Sequence, residues 1–355
     1  MVLATPRFRR SIWVMVLLVF VLFWMVIMST GIGAVTIPPG QVITILLEQI
    51  GFAAGSTIDN MQQVILLNIR LPRVVLAVLV GAALSVSGAA MQGLFRNPLA
   101  DPGLIGISSG AALATAVSMV VLGSLDLAVV RLLGDWLIPV AAFAGGTVAT
   151  VTVYRLSTTG GRTSVTTMLL AGIAINAMAN AAIGFMIFMA DDDQLRDLTF
   201  WTLGSLGGAM WSSVLVVLPF LLAAIFYLPR LSSGLNAMML GETEAGHLGI
   251  RVERLKKVII LFVGLAVGAA VSVSGVIGFV GLVVPHILRL WIGPDHRFLM
   301  PGSALLGGLL LLGSDLVART MVAPAELPIG VITAAAGAPF FLWLLLRNRD
   351  MGSYL

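Results

Sequence analysis

Long apolar segments alternate with short polar ones along almost the whole chain. Ten segments have the length and apolar character of a membrane-spanning helix, which needs about 20 residues. They lie at about 12–32, 72–94, 104–123, 136–156, 166–190, 212–229, 257–276, 278–292, 302–321 and 328–346. Several are short or rich in glycine, and Pro285 lies inside the eighth, so some helices are expected to be tilted or broken. The pattern predicts an all-α polytopic membrane protein with about ten transmembrane helices.

Composition supports this fold class. Of 355 residues, 59% are hydrophobic and only 10% are charged, whereas a soluble domain carries roughly 25% charged residues. The polar surface is too small to cover a globule in water, which excludes a soluble enzyme. The chain has no cysteine, which also excludes disulfides, thiolate nucleophiles and cysteine-ligated metal sites.

The distribution of positive charge orients the predicted spans. Ten spans place both termini on one side of the membrane, and we predict that this side is the cytoplasm. Fifteen Lys and Arg residues then lie inside and five lie outside, as the positive-inside rule requires. The excess of 20 Lys and Arg over 16 Asp and Glu is therefore interpreted as topology and not as nucleic-acid binding. The first apolar segment is too long for a signal peptide, so we interpret it as the first span.

We predict a single transmembrane domain, residues 1–355. Two of the segments between its spans are longer than the others. Residues 33–71 form an outer loop with a short helix near Gln41–Ile50. Residues 231–256 lie inside, and Asn236–Leu248 shows apolar residues at helical spacing. An exposed amphipathic helix on a multi-pass protein is a candidate docking element for a soluble partner. The alternative is a solvated linker or an interfacial helix.

Motifs for covalent chemistry are weak. Gly106–Gly110 fits the G-x-S-x-G pattern, with Ser108 or Ser109 as nucleophile, but it opens an apolar helix and contains no histidine. The phosphate-binding pattern G-x-x-x-x-G-K-[ST] is missing from the sequence, so ATP-driven work would need another subunit. His286 is a lone histidine near a span and is interpreted as a packing residue, so no metal site is predicted.

Few ionisable or strongly polar residues fall inside the predicted spans, and each is a candidate for function. Asp315 and Arg319 are one turn apart and fit an i,i+4 ion pair. Asn176 and Asn180 are candidates for lining a translocation path, with an interhelical hydrogen bond as the alternative. A chain of buried carboxylates is missing, which argues against a proton-coupled carrier. Outside the spans, Asp191–Asp193 is interpreted as a helix-capping turn, with a cation site as the alternative.

Several motifs occur in one order along the chain. They are Arg70-Leu71-Pro72-Arg73, Gly81–Gly88, Gln92–Pro102, Leu240-Gly241-Glu242, Gly278–His286, Asp295-His296-Arg297, Glu326–Gly330 and Gly337-Ala338-Pro339. Together they closely resemble the permease subunits of the ABC importers for iron-siderophores, haem and cobalamin. The resemblance implies a type II importer permease in the bacterial inner membrane. It also implies a homodimer, two ATP-binding cassette subunits, a periplasmic substrate-binding protein, no permanent cofactor and no enzymatic activity in this chain.

The resemblance implies a docking site on the periplasmic side. Arg70, Arg73 and Arg319 match outer-face arginines that pair with carboxylates of the binding protein, and the predicted topology places all three outside. Long-range attraction would steer this docking, and salt would weaken it. Anchoring to lipid headgroups is the alternative.

On the cytoplasmic side the resemblance implies a coupling segment and a gate. The stretch Leu235–Ile250 matches the coupling helices that sit in the ATPase cleft. The positions carried over are Leu240, Gly241, Glu242, Ala245, Leu248 and Gly249. Two pairs match the gate: Asn97 with Leu99, and Ser164 with Val165. Val165 departs from the hydroxyl residue of the cobalamin permease, which puts the second pair in doubt.

One segment bears on the substrate. Ala190–Trp201, followed by Gly204–Ala209, looks most like the haem permeases and differs from the cobalamin permeases. A mostly apolar path suits a flat porphyrin, and it suits a bulky siderophore nearly as well. The prediction is translocation of haem by alternating access, with a ferric-siderophore or cobalamin permease as the alternative. Rivals from other classes are an intramembrane serine hydrolase and a proton-driven carrier.

Overall fold

Helices make up nearly all of the described chain. The computed structural model describes residues 6–33, 35–49, 51, 60–123, 125 and 128–352. Its α-helices are α1 (Pro6–Gly31), α2 (Pro39–Gln49), α3 (Asn60–Val64), α4 (Leu71–Phe95), α5 (Ile107–Val117), α6 (Ala128–Leu133), α7 (Leu137–Ser157), α8 (Val165–Met189), α9 (Asp192–Leu203), α10 (Trp211–Tyr227), α11 (Ser232–Met238), α12 (Glu242–His247), α13 (Val252–Ser274), α14 (Val280–Ile292), α15 (His296–Thr320) and α16 (Ile329–Gly352). Between them lie the π-helical segments Ile65–Arg70 and Ser118–Leu122 and the 3-10 turns Pro102–Ile105, Gly134–Trp136 and Leu228–Leu231.

Each of the ten predicted spans is a helix in the structure. Among the described residues, seven helical stretches are long and apolar enough to cross a membrane, namely Phe8–Gly31, Asn60–Phe95, Val130–Ser157, Val165–Met189, Trp211–Met238, Val252–Ser274 and His296–Thr320. Three shorter apolar helices, Ile107–Leu122, Val280–Ile292 and Ile329–Trp343, correspond to the third, eighth and tenth predicted spans. The predicted fold class is confirmed, including the short helices among the spans.

Helix α4 lies at the centre of the bundle. In the most apolar window of its span 83% of residues are buried, and it packs against α10, α13, α14 and α15. Glycines permit this close approach. A Cβ added at Gly88 would lie 1.8 Å from the carbonyl oxygen of Gly281, and one at Gly81 would lie 2.3 Å from that of Gly307. Gly81 and Gly88 therefore lie on a packing surface of α4.

Helices α1 and α8 lie at the periphery. Only 17% of the apolar window of α1 and 11% of that of α8 are buried. Their exposed side chains are large and apolar, as Trp13 on α1 and Phe188 on α8 illustrate. Surfaces of this kind are suited to contact with lipid tails or with another apolar chain.

The second span begins earlier than the apolar pattern predicts. The end of the predicted loop 33–71 is helical, since α3 and the first π-helical segment continue directly into α4. Pro72, which has no N–H, lies in the first turn of α4. The wider π turn accommodates it, with the backbone N–H of Leu71 donating to the carbonyl of Leu66. Residues 52–59 of the predicted loop lie outside the described residues.

Two other short segments refine the prediction. The helix expected near Gln41–Ile50 is α2, which ends at Gln49; Ile50 itself lies outside the described residues. The single helix expected over Asn236–Leu248 is instead two helices, α11 and α12. The break falls at Gly241, whose φ of 123° lies outside the helical region. Glycine tolerates this conformation, which a residue with a Cβ rarely adopts.

A small hairpin, which the apolar pattern did not indicate, joins α7 to α8. Strands β1 (Thr158–Thr159) and β2 (Arg162–Thr163) pair antiparallel, with Thr158 opposite Thr163. The two residues between them, Gly160 and Gly161, have φ values of 59° and 77°. Two successive positive φ angles are typical of the tight type I′ hairpin turn.

Candidate functional site

Charged side chains form a buried group where α4 meets α15. We call Arg70, Arg73, Asp315, Arg319 and Glu326 the outer cluster, because the predicted topology places this end of the bundle outside. Arg73 donates from Nε to Asp315 Oδ1 at 2.9 Å and from Nη1 to Glu326 Oε1 at 2.8 Å. Arg319 Nε lies 3.6 Å from Asp315 Oδ2. The i,i+4 ion pair expected between these two residues is confirmed.

The other arginine contacts reach the end of α1. Arg70 Nη1 donates to the carbonyl oxygens of Thr30 and Gly31, at 2.9 Å each. Arg319 Nη2 donates to the carbonyl oxygen of Ser29 and to its Oγ, the latter at 2.7 Å. Positive side chains stabilise the carbonyls left free at a helix C-terminus and complement the helix dipole there. The two arginines therefore hold α1 against α4 and α15.

These contacts change the picture of the predicted docking arginines. Arg70 is 6% exposed and Arg73 is 8% exposed, while the side chain of Arg319 is 7% exposed. Each of the three guanidinium groups already has partners within the chain. Docking of a binding protein at this end stays a prediction. The most accessible member of the cluster is Glu326, with 42% of its side chain exposed.

A second buried group lies at the opposite, predicted cytoplasmic end. Its centre is Lys256, which is 1% exposed. The ammonium donates to Thr163 O and Glu242 Oε2, both at 2.7 Å, and to Glu253 Oε1 at 3.1 Å. The other oxygen of Glu253 accepts the backbone N–H of Thr163 at 2.8 Å. We call these four residues the inner cluster.

The predicted coupling segment surrounds α12. Leu240 and Leu248 flank it and are 68% and 63% exposed, which leaves apolar groups on the surface where a protein partner could cover them. Gly241 and Gly249 bracket the helix with φ values of 123° and 84°, conformations that favour glycine. Ala245 is fully buried. It packs inside this chain and presents no surface to a partner, and its role in coupling stays a prediction.

The two predicted gate pairs lie at the same end but on separate elements. Asn97 Oδ1 accepts the backbone N–H of Leu99 at 2.9 Å, in the turn that follows α4, and Leu99 is 42% exposed. Ser164 is the N-cap of α8 and accepts the backbone N–H of Thr167 at 3.2 Å. Val165 begins that helix. Within the part of the chain that the structure describes, no hydrogen bond joins one pair to the other, and the gating role of both stays a prediction.

Asp101 fixes the segment that leads from the first gate pair into α5. Its Oδ1 accepts the backbone N–H of Gly103 at 2.7 Å and caps the 3-10 turn that follows. Burial raises the pKa of the Asp101 carboxyl, and the hydrogen bond from Gly103 acts in the opposite direction. The cap holds the beginning of this turn against the bundle.

The two candidate path residues have different surroundings. Asn176 on α8 accepts a hydrogen bond from Ser109 Oγ on α5 and donates to the carbonyl oxygen of Gly103 at 3.3 Å. The alternative considered for Asn176, an interhelical hydrogen bond, is therefore what the structure shows. Asn180 is exposed, and its role in a path stays a prediction. The hydroxyl of Ser109 bonds an amide and a carbonyl oxygen, neither of which is a base for a hydrolase.

Asp191 and His286 were considered as ligands of a cation or a metal. Asp191 caps a helix, and His286 packs against an aromatic ring. Asp191 accepts the backbone N–H of Gln194 at 2.8 Å, and the Gln194 side chain accepts that of Asp191 at 3.2 Å. This capping box confirms the interpretation of Asp191 as a helix cap. The ring of His286 is packed edge-on against Phe340, with centroids 6.2 Å apart. Neither of its nitrogens has a hydrogen-bond partner among the described residues.

Comparison with known proteins decides the class. Residues 17–347 match the FecCD transport family. The chain belongs to the FecCD family. The hemin transport system permease protein HmuU of Yersinia pestis is 50% identical over 298 residues, which cover 84% of this chain and 87% of that protein. The cobalamin import system permease protein BtuC of Halobacterium salinarum is 43% identical over 289 residues, covering 81% of this chain and 75% of that protein.

A solved structure agrees with the family assignment. It is an inward-facing conformation of a transporter assigned to the metal-chelate ABC type, with a TM-score of 0.80 and 30% identity. The match covers 94% of this chain and 98% of that chain. The FecCD chain is therefore an ABC importer permease of the inner membrane, which works with ATP-binding partner subunits. No enzymatic activity is indicated for a permease subunit of this family.

Sequence reasoning missed the centre of the inner cluster in this FecCD permease. In the sequence, Lys256 stands out only as one of the positive charges on the inner side. A signal was present, since Glu253 precedes Lys256 by three residues, a spacing that brings side chains together on a helix. Its contacts with Glu242 and Thr163 come from other elements and could not be read from helical spacing.

Proposed function

We propose that this permease translocates haem into the cytoplasm as a homodimer, by alternating access. Haem is the transported substrate, a periplasmic binding protein delivers it, and ATP is hydrolysed on two cassette subunits. The 50% identity with a hemin permease over 84% of the chain carries the choice of substrate. The resemblance of Ala190–Trp201 to haem permeases supports the same choice.

In this proposal, α12 and its flanking residues form the docking surface for the cassette subunits. Leu240 and Leu248 supply exposed apolar contacts, and buried Ala245 anchors α12 to the rest of the chain. Burial of apolar side chains in a partner's cleft is the principal source of affinity in such interfaces. This face would therefore receive the motion of the cassette subunits when ATP closes them.

The outer cluster is the proposed docking point of the binding protein. The cluster contains three arginines and two carboxylates, which leaves one positive charge in excess. Glu326 is the accessible partner of Arg73, so a carboxylate on the binding protein would compete with Glu326 for that arginine. An excess charge steers an oppositely charged partner over a range of about 10 Å at 0.1 M salt.

A ferric-siderophore or cobalamin permease is the second candidate. The 43% identity with a cobalamin permease over 81% of the chain supports it. The solved transporter of metal-chelate type supports this wider class of cargo as well.

Uptake into proteoliposomes tests the proposal. The permease is reconstituted with its cassette subunits, and the binding protein is added on the side exposed to substrate. Haem, a ferric siderophore and cobalamin are compared in separate arms, with cassette subunits that bind but do not hydrolyse ATP as the control. ATP-dependent accumulation of haem alone is expected. Accumulation of a siderophore or cobalamin would keep the importer class and overturn the substrate.

A further inference from the structure

We propose that Lys256 is a positioning residue that joins the coupling segment to the inner gate at Ser164. The inference rests on the proposed import cycle, in which α12 receives motion from the cassette subunits. It is independent of which substrate is carried. Lys256 lies in none of the motifs that carry the family resemblance.

The ammonium group of Lys256 is fully hydrogen-bonded. A lysine has three N–H donors, and the structure supplies three acceptors within 3.1 Å of Lys256 Nζ. The residue is 1% exposed, so water cannot replace a lost partner without entry into the protein. Every bond that breaks leaves a buried charge less well solvated, which is costly.

The three acceptors of Lys256 lie on three different elements. Glu242 is the first residue of α12, Glu253 is in the first turn of α13, and Thr163 ends the hairpin. The peptide groups of Thr163 are held from both sides, because its carbonyl accepts from Lys256 and its N–H donates to Glu253. One side chain therefore ties the coupling helix, a buried span and the hairpin together.

The predicted gate residue Ser164 lies directly beside the Thr163 end of this hydrogen-bonded group. Ser164 directly follows Thr163 and caps α8. Its backbone N–H donates to the carbonyl oxygen of Ser157 at 2.9 Å, so the start of α8 is joined to the end of α7 across the hairpin. Immediately before α12, a Cβ added at Gly241 would lie 3.9 Å from Arg96 Nη1, and Arg96 precedes Asn97 of the first gate pair. The beginning of α12 therefore lies near both gate loops.

A role in stability alone does not account for the arrangement. Buried ion pairs are weak sources of stability, because the cost of removing the charges from water offsets their attraction. Their geometric effect is stronger, since α12 and the hairpin cannot separate without breaking a hydrogen bond of the buried Lys256 ammonium group to Glu242 or to Thr163. Displacement of α12 by a cassette subunit would thus move the hairpin and the start of α8 with it.

The test measures transport and ATP hydrolysis in the same proteoliposomes. In Lys256→Met, ATP hydrolysis is expected to continue while uptake per ATP falls by roughly tenfold or more, the scale of a lost charge-assisted hydrogen bond. The matched control is Lys257→Met, which changes the neighbouring, exposed lysine and should leave the ratio unchanged. An unchanged ratio in Lys256→Met would overturn the proposal.

A second pair of variants separates positioning from folding. The Glu242 side chain is 37% exposed, so its replacement leaves no fully buried gap. Glu242→Gln keeps an oxygen acceptor for Lys256 and should retain most of the coupling, whereas Glu242→Ala should lose it. Equal coupling in these two variants would overturn the proposal even if Lys256→Met failed to fold.

A distance measurement distinguishes this inference from the proposed function. The chain has no cysteine, so spin labels can be attached through Arg162→Cys on the hairpin and Glu244→Cys on α12, both exposed positions. The short intrachain distance should stay constant between the nucleotide-free and ATP-bound complexes, and should broaden or change in Lys256→Met. A distance that changes with nucleotide while Lys256 is present would refute the proposed link between α12 and the hairpin. This result holds even if no tested substrate is transported.

Discussion

The outer and inner clusters differ in how completely their charges are paired. The inner cluster has one lysine between two glutamates, and all three of its N–H donors have acceptors. The outer cluster has three arginines and two carboxylates, and its bonds are incomplete. Asp315 Oδ2 and Arg319 Nε are buried without a hydrogen bond in the part of the chain that the structure describes.

This difference indicates two kinds of task. A fully paired buried group resists separation of the elements that it joins, so the inner cluster is suited to transmit motion. A group with an excess positive charge and an accessible carboxylate can exchange that carboxylate for one on a partner. The outer cluster is therefore suited to reversible docking, and its accessible Glu326 is the residue that a partner would displace.

Removal of the shared carboxylate of the outer cluster should have the largest effect on stability. Asp315 is fully buried between Arg73 and Arg319. Asp315→Ala should destabilise the protein by about 3–5 kcal/mol, because it leaves buried cations without a counter-charge. Denaturant unfolding in detergent would measure this. The control Asp191→Ala removes only an exposed helix cap and should cost about 1 kcal/mol; equal losses in the two variants would contradict the account.

Disruption of the apolar surface at the inner end should have an intermediate effect. Leu240→Asp places a charge where the proposed cassette interface buries an apolar side chain. Affinity for the cassette subunits should fall by about 1–3 kcal/mol, measured by co-purification or by titration in nanodiscs. Thr243→Asp adds the same charge to exposed α12 without removing an apolar contact. If both variants bind equally well, α12 and its flanks are not the docking surface.

Neutralisation of the accessible outer carboxylate should have the smallest effect and the opposite sign. Glu326→Gln raises the excess positive charge of the outer cluster by one and removes the competitor for Arg73. The binding protein should bind a few-fold more tightly, about 0.5–1 kcal/mol, and the gain should shrink as salt rises. Surface plasmon resonance at two salt concentrations would measure this. Weaker binding in Glu326→Gln would show that Glu326 assists docking.

The ten spans could be predicted because hydropathy is a local property of the sequence. The burial of the arginines could not, since Arg73 and Asp315 are 242 residues apart and only packing of α4 against α15 brings them together. The π turn before α4 depends on backbone geometry, and the apolar pattern of an ordinary helix looks the same. The break at Gly241 was hidden because apolar residues on both sides of it keep helical spacing.

The surroundings of the predicted gate and coupling positions likewise depend on packing that the local sequence does not show. Spacing placed Ala245 on the apolar face of a helix, but it could not show whether that face meets a partner or the chain itself. The burial of Ala245 follows from packing of α12 on α11. The resemblance identified Ser164, whereas the lysine that ties its hairpin to α12 has partners both near and far in the sequence.

The most direct test of the two-cluster account is a comparison of three permeases in one haem-uptake assay. Wild type, Glu326→Gln and Lys256→Met are reconstituted with cassette subunits, and uptake and ATP hydrolysis are followed while the binding protein is titrated. Glu326→Gln should lower the binding-protein concentration at half-maximal uptake and leave uptake per ATP unchanged. Lys256→Met should leave that concentration unchanged and lower uptake per ATP. If both variants altered the same quantity, the division into a docking end and a transmitting end would be contradicted.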